Sequence, residues 1–355
     1  MHQSKIKIQL SGTSASMLFP LWDRAQLSKE YSSLFYDEKA IELVEKIDYD
    51  FSTSDEPFLG ILFNIPRKGN LLAGSGLMRL GARQFDEKAK AYIADHPHAS
   101  VINIGAGLDT TFYRVDNGII HWYDLDLPRV IDIRRQLLPE PNRLTYISKS
   151  LFDSSWCKDI RDTDNGVFII ASGVFMWFEK SQVKQFFSML ADNFPGGEIV
   201  FNFRSRSDED VDAWSTRFPP EQRDAMRAAW AEALKEWWEK ALQDQKDKLN
   251  DMIISLYVPT KPDGKKWADI EAWWNQLSAR EQDEVIVGFM TSFRGGVGSW
   301  VLDASEFTKW DSRITVIDQF PVFKNIPRDS LSADIRRYMD CSDESGKASI
   351  FHLRV

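Results

Sequence analysis

Cysteine is nearly missing from this 355-residue chain: only Cys157 and Cys341 occur, without metal-ligand spacing, and the five histidines (His2, His96, His98, His121 and His352) make no zinc-like pattern. No metal is expected. Long apolar runs are missing too, since nothing approaches the roughly eighteen residues of a membrane span. The N-terminus "MHQSKIKIQLSG" has neither a long apolar stretch nor a small-residue cleavage site. These absences predict a soluble, cytoplasmic protein with no membrane partner. There is no long basic run, and the net charge is −9, a poor match to a nucleic-acid partner, whose phosphates call for clustered Lys and Arg. Internal repeats and low-complexity linkers are absent as well. A small-molecule ligand is the class that remains.

What the chain does have is apolar mass: 43% hydrophobic residues with 23 Phe and 13 Trp, enough for a sizeable core. Residues 24 to 47 carry apolar positions at helical spacing and predict one or two N-terminal helices. "LMRLGARQFDEKAKAYIADHP" predicts another, ended at His96-Pro97. The middle then alternates: strand 100 to 104, helix 109 to 115, strand 119 to 125, helix 128 to 138, strands 144 to 148 and 167 to 171, helix 180 to 193, strand 197 to 203. Such alternation predicts a mostly parallel, doubly wound α/β sheet.

Residues 208 to 293 break the rhythm. "EQRDAMRAAWAEALKEWWEKALQDQKDKLNDMI" reads as one long amphipathic helix, with Met226, Trp230, Leu234, Trp237 and Ala241 on one stripe, and one or two more helices follow. Seven of the 13 tryptophans (Trp214, Trp230, Trp237, Trp238, Trp267, Trp273 and Trp274) fall here, so the segment should pack onto something. "ITVIDQFPVF" and "ASIFHLRV" suggest a closing β-hairpin. The expected organisation is therefore a helical segment over 1–97, an α/β core over 98–207, a Trp-rich helical insertion over 208–293, and the rest of the sheet over 294–355.

The informative stretch is "VINIGAGLDTTFYR". Gly105 and Gly107 follow an apolar strand, where a missing Cβ allows a tight turn and close approach to the backbone. A dinucleotide site would next receive a pyrophosphate at the helix N-terminus. Asp109 would repel that group and occupy the free N–H groups as a cap, so a phosphate-free adenosyl ligand fits better. Asp126, about twenty residues past the turn, is placed to accept both ribose hydroxyls. Asp124 competes on the same face, and a helix-capping role is the alternative reading of Asp126.

These residues, with "SASMLFPLWDRAQLS", "IDYDF", "RQFDEKAKAYIADHP", "WYDLDLPRVIDIRRQLL", "SLFDSSW" and "GVFMWFEKSQVKQFFSMLADNFPGGEIVFN", resemble the TcmP-like polyketide O-methyltransferases, relatives of the leucine carboxyl methyltransferases. The resemblance runs from about residue 10 to 204 and resumes near "GSWVLDASEFTKWDSRITVID". It implies a class I, Rossmann-like methyltransferase fold with N-terminal helices and an inserted helical lid, and S-adenosyl-L-methionine (SAM) as cofactor. By the same resemblance Gly105, Ala106 and Gly107 would line the methionine and ribose. Asp126 with Leu127 would hold the ribose end, Arg83 the cofactor's carboxylate, and Ser150 and Leu151 the adenine, with Asp153 beside them.

One position departs from the pattern. Ser172 stands where the family usually has a Glu near the cofactor's ammonium, and Trp177 replaces a Tyr. Tyr113, Tyr123 and Asp109 are the candidates to compensate. Catalytic or substrate-holding candidates are Tyr113, Ser172, Arg24 in "WDRA" and Arg204. The resemblance points to O-methylation of a carboxylate or hydroxyl on a small, acidic acceptor. Ser172 and an aromatic lid leave room for two other readings, a SAM cyclase that needs no partner beyond SAM and a non-catalytic SAM sensor. The insertion is expected to be a lid or a dimer surface, in a monomer or homodimer.

Overall fold

The protein is described here by a computed structural model over residues 5–8, 17–49, 77–204, 218–255, 266–292, 303–329, 331–345 and 348–355, with a few single positions between. Two helices come first, α1 (Leu18–Glu30) and α2 (Glu38–Lys46), followed after a gap in the described residues by α3 (Ala82–Asp95). The core then runs β1 (Ser100–Ile104), α4 (Thr111–Val115), β2 (His121–Asp126), α5 (Pro128–Leu137), β3 (Leu144–Ser148), β4 (Val167–Ala171), α6 (Lys180–Asn193) and β5 (Glu198–Arg204). The insertion supplies α7 (Pro220–Lys240), α8 (Gln243–Ser255), α9 (Trp267–Gln276) and α10 (Ala279–Ser292). The chain closes with β6 (Thr315–Pro321), α11 (Ala333–Ser345) and β7 (Ala348–Arg354).

The seven strands form one sheet in the order β3-β2-β1-β4-β5-β7-β6. β1 to β5 are mutually parallel, and β7 runs antiparallel to both β5 and β6. β1 and β4 lie at the centre, and every residue of "SVINI" and "VFIIA" is buried, as strands covered on both faces require. Helix starts agree with the local chemistry: Pro128 opens α5, and Glu179 with Gln182 makes a capping box for α6. The expected mostly parallel α/β architecture is what the chain adopts.

Two expectations need correction. "ITVIDQF" and "ASIFHLR" do pair antiparallel, but α11 lies between them in sequence. They are not a tight hairpin. β7 slots between β5 and β6, where Ile350, Phe351 and Leu353 are buried, a position that needs a longer connection. The single long insertion helix is likewise two, α7 and α8. The chain turns extended at Ala241, whose ψ is 145°, and Gln245 turns back to accept the Leu242 N–H at 2.6 Å. The break lets two faces, rather than one, bury apolar side chains.

The insertion does pack. Trp230, Trp237, Trp238, Trp273 and Trp274 are buried in the same apolar cluster as Phe320, Val322, Phe323 and Tyr338 of the closing segment, and Phe218 stacks on Tyr338 with ring centroids 5.8 Å apart. Each such ring contributes on the order of 2–3 kcal/mol of transfer free energy. Within the insertion, buried Asp283 of α10 takes Arg223 at 3.0 Å and Arg227 at 2.7 Å from α7. Trp214 lies outside the described residues. Among the described residues no helix is long and apolar enough to cross a membrane.

Candidate cofactor site at the strand tips

Because β1 to β5 are parallel, their carboxyl ends lie along one edge of the sheet, and the predicted glycine turn, Asp126, Ser150, Leu151 and Ser172 all follow those ends. This is the edge where open α/β sheets bind ligands. Gly105 follows β1 with φ +63° and donates its N–H to the Leu125 carbonyl at 2.8 Å. Gly107 has φ +46° and donates to the Asp126 carboxylate at 2.8 Å. Asp126 also accepts the Leu127 N–H at 2.7 Å. A half-buried carboxylate thus bridges the glycine turn and the tip of β2. Burial pushes its pKa up, against the pull of those two N–H groups.

Two separate needs explain the glycines. A Cβ on Gly105 would lie 2.8 Å from Val174 Cγ2, just past β4, so there the glycine serves packing as well as its left-handed backbone. Gly173 has φ +73° and nothing within 4 Å of its missing Cβ; its face is open. Gly105→Ala is therefore expected to cost about 2 kcal/mol from strain plus the clash, and Gly173→Ala about 1 kcal/mol from strain alone. Urea midpoints of the two variants would check the order.

The two acids of β2 differ in their contacts. Asp124 is 1% exposed and fully engaged: it accepts Asn103 Nδ2 at 3.0 Å and Trp122 Nε1 at 2.9 Å, and it pairs with Arg134. Asp126 keeps a face toward the edge. Next to it the Leu127 side chain is 53% exposed, an apolar surface beside the acid. Ser150 accepts the Phe152 N–H at 3.3 Å, and the half-buried Leu151 gives its carbonyl to Trp156 Nε1 at 3.0 Å. Asp153 caps the following turn through Ser155 N at 3.0 Å.

At the tip of β4, Ser172 is exposed. Gly173 donates to Asn202 Oδ1 of β5 at 2.6 Å, and Trp177 turns back to donate to the Gly173 carbonyl at 3.0 Å. Sequence reasoning missed Asn202, although a lone amide inside "IVFNF" was a usable signal, because polar groups in a core strand need a partner.

Two catalytic candidates, Arg24 and Tyr113, are engaged or buried in the fold. Arg24 is 5% exposed: Nε binds Asp37 at 3.1 Å and Nη2 donates to the Leu108 carbonyl at 2.8 Å. It is a strut under the turn, not a free cation awaiting a substrate. The Tyr113 ring lies beneath Lys39, whose Nζ is 5.3 Å from the ring centroid, and its buried hydroxyl has no hydrogen-bond partner among the described residues. Burial raises its pKa, and the charges of Arg134 and Asp124 act on it in opposite directions. The Arg204 side chain lies outside the described residues. The contacts of Arg83 run to Glu87 at 2.7 Å and the Leu34 carbonyl at 3.2 Å; the guanidiniums that touch the turn itself are those of Arg24 and Arg134.

Those two arginines belong to a buried charge network missed by sequence reasoning. Arg114 grips Asp86 through two bonds, at 2.7 and 2.9 Å, and reaches Asp37 at 2.6 Å. Asp37, fully buried, also accepts Thr110 Oγ1 at 2.6 Å and caps α2 through Ala40 N at 2.9 Å. Asp109 accepts Thr111 N at 3.2 Å, the capping role expected of it, and Asn103 Nδ2 at 3.1 Å. Burial opposes its charge, but Arg24 and Arg114 hold its pKa below the ordinary carboxylate value. Across the network the aspartates (37, 86, 109, 124 and 126) outnumber the arginines (24, 114 and 134).

The family model of leucine carboxyl methyltransferases matches residues 18–191, the span that carries this site. Over that span the chain is similar to the leucine carboxyl methyltransferase family. Among its relatives, the tetracenomycin polyketide synthesis O-methyltransferase TcmP of Streptomyces glaucescens is 26% identical over 212 residues, 59% of this chain and 70% of its own length. The S-adenosyl-L-methionine-dependent methyltransferase dpfgK of Gibberella zeae is 24% identical over 219 residues, covering 56% and 68%. Of solved structures, the mitomycin 7-O-methyltransferase MmcR aligns over 97% of this chain and 76% of its own, at 11% identity and a TM-score of 0.35. The N-methyltransferase NodS of Bradyrhizobium japonicum, in complex with S-adenosyl-L-homocysteine, aligns over 84% and 98%, at 8% identity and 0.36.

This leucine carboxyl methyltransferase relative is a SAM-dependent transferase with the class I fold. The residues at its strand tips are chemically compatible with that cofactor: an acid beside an exposed leucine and an open glycine face at β4.

Proposed function

We propose that the protein transfers the methyl group of SAM to a carboxylate or hydroxyl oxygen of a small, natural-product-like molecule, a reading supported by its similarity to TcmP, an O-methyltransferase of polyketide synthesis. The observation that carries this reading is the Asp126 carboxylate bridging Gly107 and Leu127 at the carboxyl edge. In it, Asp126 takes the ribose hydroxyls, Leu127 and Leu151 flank the adenine, and Gly105 to Gly107 with Gly173 bound the methionine portion. Arg83 remains the candidate for the cofactor's carboxylate. The Trp-rich insertion acts as the lid that excludes water and selects the acceptor.

When bound, SAM supplies an electrophilic methyl on a sulfonium; the acceptor oxygen forms the new C–O bond as the C–S bond breaks. Charge is lost along that path, so alignment and a dry site matter more than a strong base. A carboxylate acceptor is already ionised at neutral pH and has no proton to give up.

A second reading rests on Ser172 at the β4 tip, an exposed hydroxyl where the resemblance implies a Glu near the amine of SAM. Once that amine has lost a proton it could attack its own γ-carbon, forming a C–N bond as the γ-carbon–sulfur bond breaks. Azetidine-2-carboxylate and methylthioadenosine would result. Incubating the full chain with methyl-labelled SAM, with and without a panel of small carboxylic acids and phenols, separates the two. Methyl transfer is expected to give labelled product and S-adenosylhomocysteine only when an acceptor is present. Methylthioadenosine accumulating from SAM alone would overturn it in favour of cyclisation.

A further inference from the structure

We propose that Arg134 is the positioning residue of the cofactor turn, holding the backbone of Gly107 in the one shape that lets Asp126 meet the ribose. This rests on the reading of Asp126 as the ribose ligand. Arg134 sits on α5, 1% exposed, beneath the turn. Its Nη1 donates to the carbonyls of Gly107 at 2.8 Å and Asp109 at 2.9 Å, with that of Ala106 at 3.4 Å. Its Nη2 is bound to Asp124, and the guanidinium lies 5.2 Å from the centre of the Tyr146 ring.

Gly107 is therefore pinned from both sides. Asp126 holds its N–H, and Arg134 holds its carbonyl. With φ at +46° and no side chain to restrict it, this residue would otherwise sample many conformations. The clamp is itself fixed, because Asn103 Nδ2 and Trp122 Nε1 hold the Asp124 carboxylate that orients the guanidinium. Only a planar fork reaches several carbonyls and a carboxylate at once; a lysine ammonium would keep the charge and lose the geometry. A buried ion pair by itself is weak evidence of purpose. The convergence of neighbouring loop carbonyls on one nitrogen is what assigns the role.

Removing Arg134 alone strands Asp124 as a buried charge, so the test uses the paired variant Asp124→Asn/Arg134→Leu and, separately, Arg134→Lys. Melting is followed by circular dichroism, and binding of SAM and of S-adenosylhomocysteine by calorimetry well below the melting temperature. The expected result is that the paired variant melts within a few degrees of the parent while both ligands bind at least tenfold more weakly, and that Arg134→Lys folds and shows the same tenfold loss. Parent-like binding by either folded variant overturns the proposal and leaves Arg134 a purely stabilising residue. Asp126→Ala run alongside keeps the two ideas apart: unchanged affinity there sinks the ribose assignment itself, whereas loss there with parent-like affinity in the Arg134 variants sinks only the clamp.

Discussion

Asp126→Ala is expected to weaken SAM binding by at least about a hundredfold. Two hydrogen bonds from ribose hydroxyls to a charged acceptor are each worth roughly 1.5–3 kcal/mol, and each 1.4 kcal/mol is a factor of about ten. Loss of the Gly107 N–H contact adds to the effect by freeing the turn. The same residue gives binding a pH dependence whose sign follows from its surroundings. Burial raises the Asp126 pKa in the free protein, and hydroxyl donors would favour the charged form, so the pKa falls on binding. Affinity should be full above the free-protein value and decline as pH drops through it, beginning at higher pH than an ordinary carboxylate, near 4, would show. For stability the sign is reversed. An acid with a raised folded pKa costs stability above that value, and the cost disappears as pH falls toward the ordinary carboxylate value. Calorimetric titrations of the parent and of Asp126→Asn across the acid range would check this, the asparagine variant being expected to be weak and flat.

The second large effect is on folding. Arg114→Leu would leave Asp86 with no guanidinium and remove one of the two held by Asp37, both in buried positions. Stranding one partner of a buried ion pair costs about 3–5 kcal/mol, which for a chain of this size lowers the melting temperature by on the order of 10 °C. The loss should be large because Arg114 joins three parts of the fold: its own helix α4, Asp86 on α3, and the Asp37 cap of α2. Adding Asp86→Asn to the variant should recover part of the loss by removing the stranded charge, as thermal melts of the single and double variants would reveal.

Much of the site could be read from local pattern. "VINIGAGLDT" announced a strand, a left-handed turn and a capping acid, and each is present at Ser100–Ile104, Gly105 and Gly107, and Asp109. The β2 acids were visible as a pair, but their division of labour was not: alternation places Asp124 and Asp126 on one face, and only the approach of Arg134 and Trp122 commits the first to the interior. Arg24 was a candidate by resemblance alone; Asp37, thirteen residues on, pairs with it across the turn between α1 and α2. Arg134 could have been suspected, since it shares the apolar stripe of Val130, Ile131 and Leu137, where a charge survives only with a partner.

Sequence alone determined the alternation of strands and helices from β1 to β5, the glycine turn and the acid near its end, because backbone geometry and apolar periodicity act over a few residues. Tertiary structure alone decided where each charge went: into the interior for Arg24, Asp37, Arg114, Asp124 and Arg134, and toward the edge for Asp126. The reason is dielectric. A carboxylate and a guanidinium look alike along the chain whether solvated or buried, and only their distance to a partner of opposite sign, set by how separate elements pack, settles which state they occupy.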